Sequence, residues 1–193
     1  MVAHDLGEYQ RARVILEESL SLAREVGNKL IIAWALSNLA DVLQSQGERV
    51  SALPMLEEGI SKWRAIQTWG LAFALYSRAQ MALALGDLER ASVCYRESLE
   101  LWSRLGTQRG IADCLEGFAG LALAQSRWGD AVRLYAAAET LRQAIGAPRP
   151  PRRRTEYEEQ LARLRRKLGE EGFATVWIEG QAMTTEQVRA LIG

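Results

Sequence analysis

The sequence predicts an all-α fold, a solenoid of antiparallel helix pairs closed by a helical cap, and three observations carry that reading. The segment Gly86–Leu99 returns upstream as Gly47-Glu48-Arg49-Val50-Ser51-Ala52 and as Gly7-Glu8-Tyr9-Gln10-Arg11-Ala12, and downstream as a worn copy, Ser126-Arg127-Trp128-Gly129-Asp130-Ala131. The alanines Ala12, Ala52, Ala91 and Ala131 stand 40, 39 and 40 residues apart, and a fixed period of that length marks stacked units that bury their apolar faces on one another. Within each period apolar residues recur at three and four, the stripe of an amphipathic helix. The five-residue step from turn glycine to alanine then lets the chain reverse and two helices meet on a small side chain.

Taken in order, the first helix runs from Glu8 to about Val26 on Ala12, Ile15, Leu16, Leu20 and Ala23, and stops at Gly27-Asn28, a natural left-handed ending. The pattern restarts over Leu30–Gln46 and closes at Gly47. The next helix spans about Arg49 to Ile66 with Pro54 near its beginning, where a missing N–H costs less than deeper in the helix and a slight kink is expected. The third unit pairs about Trp69–Leu85 with Leu88–Leu105, and the fourth pairs Arg109–Gln125 with Trp128–Ile145. Gly27, Gly106 and Gly146 each fall 15 residues after their unit's alanine, with Gln67 in that place in the second unit, so the one-residue contraction lies in the loop just beyond it. The repeat array thus covers 1–146, with turns near Gly7, Gly47, Gly86 and Ser126. Its first unit lacks a preceding helix, so this end should either support a homodimer or be a cut through a longer array, and the cut is the favoured expectation.

Beyond Gly146 the texture changes. Ala147-Pro148-Arg149-Pro150-Pro151-Arg152 is a proline-stiffened connection. A helix is expected over about Arg152–Leu168, then a short one through Phe173 and Trp177, a turn at Gly180, and a last helix begun by Thr184 with Gln187 as its capping-box partner. Residues 147–193 therefore read as a connection and a terminal cap.

Composition narrows the classes of function. Lys plus Arg and Asp plus Glu number 24 each, so no net field draws the chain to nucleic acid or an acidic membrane. No apolar run reaches the roughly 18 residues a membrane span needs, and the first residues do not read as a signal peptide, so the expected location is cytoplasmic. The two cysteines, Cys94 and Cys114, sit in apolar helical patterns and are expected as buried thiols. With a single histidine, His4, no metal site is expected. There is no phosphate loop and no Ser/His/Asp set, so neither an enzyme nor a cofactor is expected.

The residues Leu39-Ala40, Gly47, Ala52, Leu56 and Gly59, and again Phe118-Ala119, Ala131, Tyr135 and Ala138, resemble the tetratricopeptide pattern of small and large residues. The period is near 40 rather than the standard 34; HEAT-type repeats share the longer period, but the Gly-x-x-x-x-Ala turn favours the tetratricopeptide resemblance. Arg78 departs from it, standing where the pattern has Leu. The resemblance implies a right-handed α-solenoid. The stretch Ala136–Pro148, with Leu168–Phe173 and Trp177–Gly180 behind it, further resembles the C-terminal end of large bacterial regulators that join a STAND-class NTPase to a tetratricopeptide sensor array, often with a LuxR-type DNA-binding domain. Neither a P-loop nor a DNA-reading helix-turn-helix is visible, so ATPase and DNA-binding roles are not carried over.

In such arrays the first helix of each pair lines a concave groove. The repeat register places Trp34, Ser37, Asp41 and Gln44 there in one unit, Phe73, Tyr76 and Gln80 in the next, and Asp113, Glu116 and Gly120 in the third. A protein or peptide is the expected partner, anchored on the aromatics, with Asp41, Asp113 and Glu116 selecting basic side chains. A small-molecule inducer is the alternative, with Trp34, Phe73 and Tyr76 as its pocket. Between Arg149 and Lys167, eight basic residues outnumber three glutamates; a solvated helix face is expected there, and nucleic acid is not. The pairs Glu17-Glu18 and Glu57-Glu58 are expected as surface charge.

Overall fold

The computed structural model describes residues 8–66 and 69–192, with the backbone alone at Arg152. His4, the turn at Gly7, and the contraction after Gln67 lie outside the described residues. Nine helices follow one another among the described residues: α1 (Tyr9–Glu25), α2 (Lys29–Ser45), α3 (Arg49–Ile66), α4 (Trp69–Ala84), α5 (Leu88–Arg104), α6 (Gln108–Ala124), α7 (Trp128–Ala144), α8 (Pro151–Gln181) and α9 (Thr185–Ile192). From α1 to α8 each packs on its neighbour in sequence, α9 touches α7, and α2, α4 and α6 also touch in series. That arrangement is a helical solenoid in which even-numbered helices form one layer and odd-numbered helices the other.

The turns share one construction. After α1, α2, α4, α5, α6 and α7 the chain passes through a residue with positive φ, Gly27, Gly47, Gly86, Gly106, Ser126 or Gly146. The next N–H then reaches back five residues, as in Asn28 N to Ala23 O (2.9 Å) and Arg127 N to Ala122 O (2.9 Å), closing carbonyls that a helix end leaves unpaired. Starts are capped where the sequence allows: Asn28 Oδ1 accepts from Ile31 N, and Asp87 Oδ1 accepts from Arg90 N. Pro54 is the sixth residue of α3, and the carbonyl it leaves without a donor belongs to the solvent-exposed Val50.

The small residues of the repeat hold the layers together. Ala52, Ala91 and Ala131 are fully buried at the helix crossings. At the ends of α3 and α5 an indole fills the joint with the following unit: a Cβ on Gly70 would sit 2.4 Å from the Trp63 ring, and one on Gly110 would sit 2.4 Å from the Trp102 ring. Arg142 takes the corresponding place in α7. On α1 the packed face is Ala12, Leu16, Leu20 and Ala23, while Val14, Ile15, Leu22 and Val26 are exposed.

Arg78, which departs from the Leu of the pattern, is held in place by an ion pair: its buried guanidinium donates to Glu57 Oε1 at 2.5 Å. Glu57 itself is half-exposed, surface charge as expected. One expectation needs correcting. Gly180 is not a turn but an interior residue of α8, where a Cβ would lie 2.6 Å from the Arg133 backbone, so it permits close docking on α7. The break falls instead at Gly169 (φ 72°, ψ 162°), which divides α8 into helical stretches 151–168 and 170–181. Thr184 and Gln187 form the reciprocal capping box, with contacts of 2.8 and 3.2 Å.

Candidate functional site

Along the even-numbered layer a groove of about 580 Å³ runs from α1 to α8. Residues one period apart line it: Asp41, Gln80, Gly120 and Gln160 form one row, and Gln44, Leu83, Leu123 and Arg163 form another. The first stretch of α8 therefore continues the layer in the same register, which the sequence reading missed. The available signal was the step from Gly169 to Ala174, the same five residues as from Gly47 to Ala52 and from Gly86 to Ala91.

The structure distributes the ten groove candidates unequally. Asp41, Gln44, Tyr76, Gln80, Glu116 and Gly120 line the groove. Ser37 is buried between α2 and α3, accepting from Trp63 Nε1 at 3.0 Å and donating to the Ala33 carbonyl. Trp34 and Phe73 are half-buried beside the groove, not in its lining. The aromatic pocket of Trp34, Phe73 and Tyr76 is thus not a single site. Asp113 is drawn into an ion cluster at the same end of the layer.

That cluster revises the electrostatic expectation. Arg142, almost fully buried, donates through Nε to Glu116 Oε1 at 2.7 Å and through Nη2 to Asp113. Arg153, the α8 counterpart of Asp113, donates to Asp113 at 2.7 Å and to Glu116 at 3.1 Å. Arg149 brings Nε to 2.8 Å from Glu116, out of line for a hydrogen bond, and donates Nη1 to Glu139. Its guanidinium lies 3.5 Å over the Tyr157 ring. Asp113 and Glu116, two of the three acids expected to select a basic partner, are therefore held by the chain's own arginines. Arg149 and Arg153 in turn are not a solvated face.

The charge states follow from the same geometry. Burial opposes the Arg153 charge, but Tyr76, Asp113 and Glu116 outweigh it and raise its pKa. For Arg142 burial is likewise overcome by the Glu116 hydrogen bond and charge, with a net upward shift. Burial works against Glu139 ionisation, yet the Arg149 hydrogen bond and charge prevail and its pKa is lowered. Burial raises the phenols of Tyr76, Tyr95, Tyr135 and Tyr157, so the groove's tyrosines are neutral hydrogen-bonding groups. Burial also raises Cys114, to about 12, against the Ser98 hydrogen bond, which makes it an inert core thiol.

Among the described residues no cluster of His, Cys, Asp and Glu has the makings of a metal site, and no helix is long and apolar enough to cross a membrane. The arrangement offers hydrogen bonds and shape along a groove, on paired helices repeated with a fixed register. Such a molecule is a helical-repeat scaffold of the kind through which proteins contact one another. The tetratricopeptide repeat model matches residues 1–65 and 70–144, and the chain belongs to the tetratricopeptide repeat family. It is also similar to proteins named "Putative HTH-type transcriptional regulator" in Mycobacterium bovis and in Mycobacterium tuberculosis strains H37Rv and CDC 1551. The identity is 29% over 152 residues, covering 79% of this chain and 17% of each relative.

Proposed function

We propose that the chain is a non-enzymatic scaffold that holds an extended peptide segment of a protein partner in its concave groove. It does so within a bacterial transcription or signalling regulator of the cytoplasm, with residues 147–193 capping the array. The observation that carries this reading is the row of Gln80, Gly120 and Gln160 on successive even-numbered helices. Neighbouring helices pack about 8–10 Å apart, close to three residues of extended chain at about 3.3 Å each. The side-chain amides of Gln80 and Gln160 stand two such steps apart, about six residues of extended chain, and match the N–H and C=O groups of a peptide backbone that crosses the bare Gly120 between them. Asp113 and Glu116, absorbed by the ion cluster, take no part, so recognition rests on the neutral polar groups of the row.

The groove's volume also supports a second reading, an inducer-sensing site, because about 580 Å³ is within the roughly 300–1,000 Å³ range of small-molecule pockets. Thermal-shift screening against metabolites, run beside binding to a random nonapeptide library, separates the two, since a ligand of the folded state raises its melting temperature. Peptide binding weakened by Gln80→Ala with Gln160→Ala is the result expected. A metabolite hit sensitive to the same pair, with no peptide bound, would replace the peptide with an inducer.

A further inference from the structure

We propose that the groove selects a sequence motif in its peptide: two apolar residues three apart and an acidic residue three further along, on a chain in the polyproline II conformation. The inference rests on the peptide reading above and goes beyond it, because the amide row holds any backbone whereas the row beside it meets side chains. That second row runs Gln44, Leu83, Leu123 and Arg163, one period apart on α2, α4, α6 and the first stretch of α8. Its middle is apolar. Leu83 is half-buried, Leu123 lies in the floor, and the exposed Ala84 and Ala124 line the groove next to them. A Cβ on Gly120 would stand 3.2 Å from Leu83 Cδ2, so glycine there lets the leucine lean from α4 onto α6 and joins the apolar floor of the two helices.

The α8 end has a different character. Among the described residues Arg163, Arg166 and Lys167 form no ion pair, whereas Arg142, Arg149 and Arg153 are held by the acids of the cluster. Arg163 lines the groove, and its guanidinium and the Lys167 ammonium each lie 5.5 Å from the centre of the Trp128 ring, which keeps two cations at this end. Glu159, one turn before Arg163, does not pair with it, and the groove acid of the same helix, Glu156, stands two turns away. A carboxylate on the partner is the complement of this wall.

The spacing follows from helix geometry. A polyproline II chain rises about 3.1 Å per residue and turns once in three, about 9.3 Å, which matches the roughly 8–10 Å between neighbouring helices. Residues i, i+3 and i+6 then face the floor together, over Leu83, Leu123 and Arg163, whereas a β-strand would turn residue i+3 away from it.

The test uses blocked, fluorescently labelled nonapeptides titrated with the full chain and followed by anisotropy. They carry leucine at the second and fifth positions, glutamate at the eighth and alanine or proline elsewhere, and a second set runs the same pattern in the opposite chain direction. One of the two directions is expected to bind saturably. Lysine in place of the glutamate should weaken binding about fivefold, the scale of an exposed ion pair turned into a repulsion. Arg163→Glu, at an exposed position and with an unchanged melting transition, should reverse the preference toward the lysine peptide. Equal binding of the two peptides, a glutamate preference that survives Arg163→Glu, or tighter binding with the leucines two or four apart would each overturn the motif. A random nonapeptide library separates it from the peptide reading. Library binders that lack the motif, with neither designed peptide bound, overturn the motif and leave the peptide reading standing. If no peptide of either kind binds, the peptide reading falls and the motif with it.

Discussion

Two residues show how the repeat tolerates substitution at its most constrained places. Ser126 carries the positive φ of 60° that glycine carries at the equivalent turns, and for a residue with a Cβ that conformation costs about 1–2 kcal/mol. Ser126→Gly should therefore raise stability by roughly 0.5–1 kcal/mol after the added flexibility of the unfolded chain is deducted. Urea denaturation measures it, and an unchanged midpoint would show that the turn is not strained. Glu139 supplies a pH test. Arg149 lowers its pKa below the ordinary 4.5 despite burial, so the unfolded state takes up its proton more readily than the folded one. The stability it contributes is complete above about pH 4.5 and is lost as pH falls through the lower, folded value. Between those limits wild type should lose stability more steeply than Glu139→Gln; parallel curves would remove Glu139 from the account. At this scale little of the site was legible: Ser37 and Tyr76 occupy the same register position, and only packing separates a buried hydroxyl from a groove-lining one.

Among the elements, the joint of α6, α7 and α8 differs most from its counterparts. Where α3 and α5 end on an indole, α7 ends on Arg142, which gathers Asp113 and Glu116 while α8 closes over them with Arg153. Removing one member of a buried ion pair costs about 3–5 kcal/mol because the partner is left charged and dry. Arg142→Ala should reach that range, and combining it with Glu116→Gln should cost less than the sum, since the two share one network. Chemical denaturation of the four species gives the coupling; strict additivity would contradict a shared cluster. The helices themselves were readable, because Gly and Ala at fixed spacing specify turns and crossings. The role of α8 was not. Arg149 and Arg153 look like surface charge in a run of basic residues, and only the α6 acids opposite, some 40 residues away, make them interior.

Across the whole molecule, the period governs both stability and recognition. The odd-numbered helices present the repeated Ala, Leu and Tyr to the interior, and the even-numbered ones set a row of polar side chains along the groove. Periodicity made the solenoid legible from the first copies, yet it also made every concave position look equivalent. Gly117 breaks that equivalence by admitting the Tyr95 ring, and Arg153 breaks it by filling an acidic position from within. The most direct measurement is photo-crosslinking with the tightest library peptide, carrying a benzoylphenylalanine at either end, followed by mass spectrometry of the modified protein. Adducts confined to the groove-facing residues of α2, α4, α6 and the first stretch of α8 are the result the account predicts. Adducts on the outer faces of α3, α5 and α7, or on α9, would contradict it.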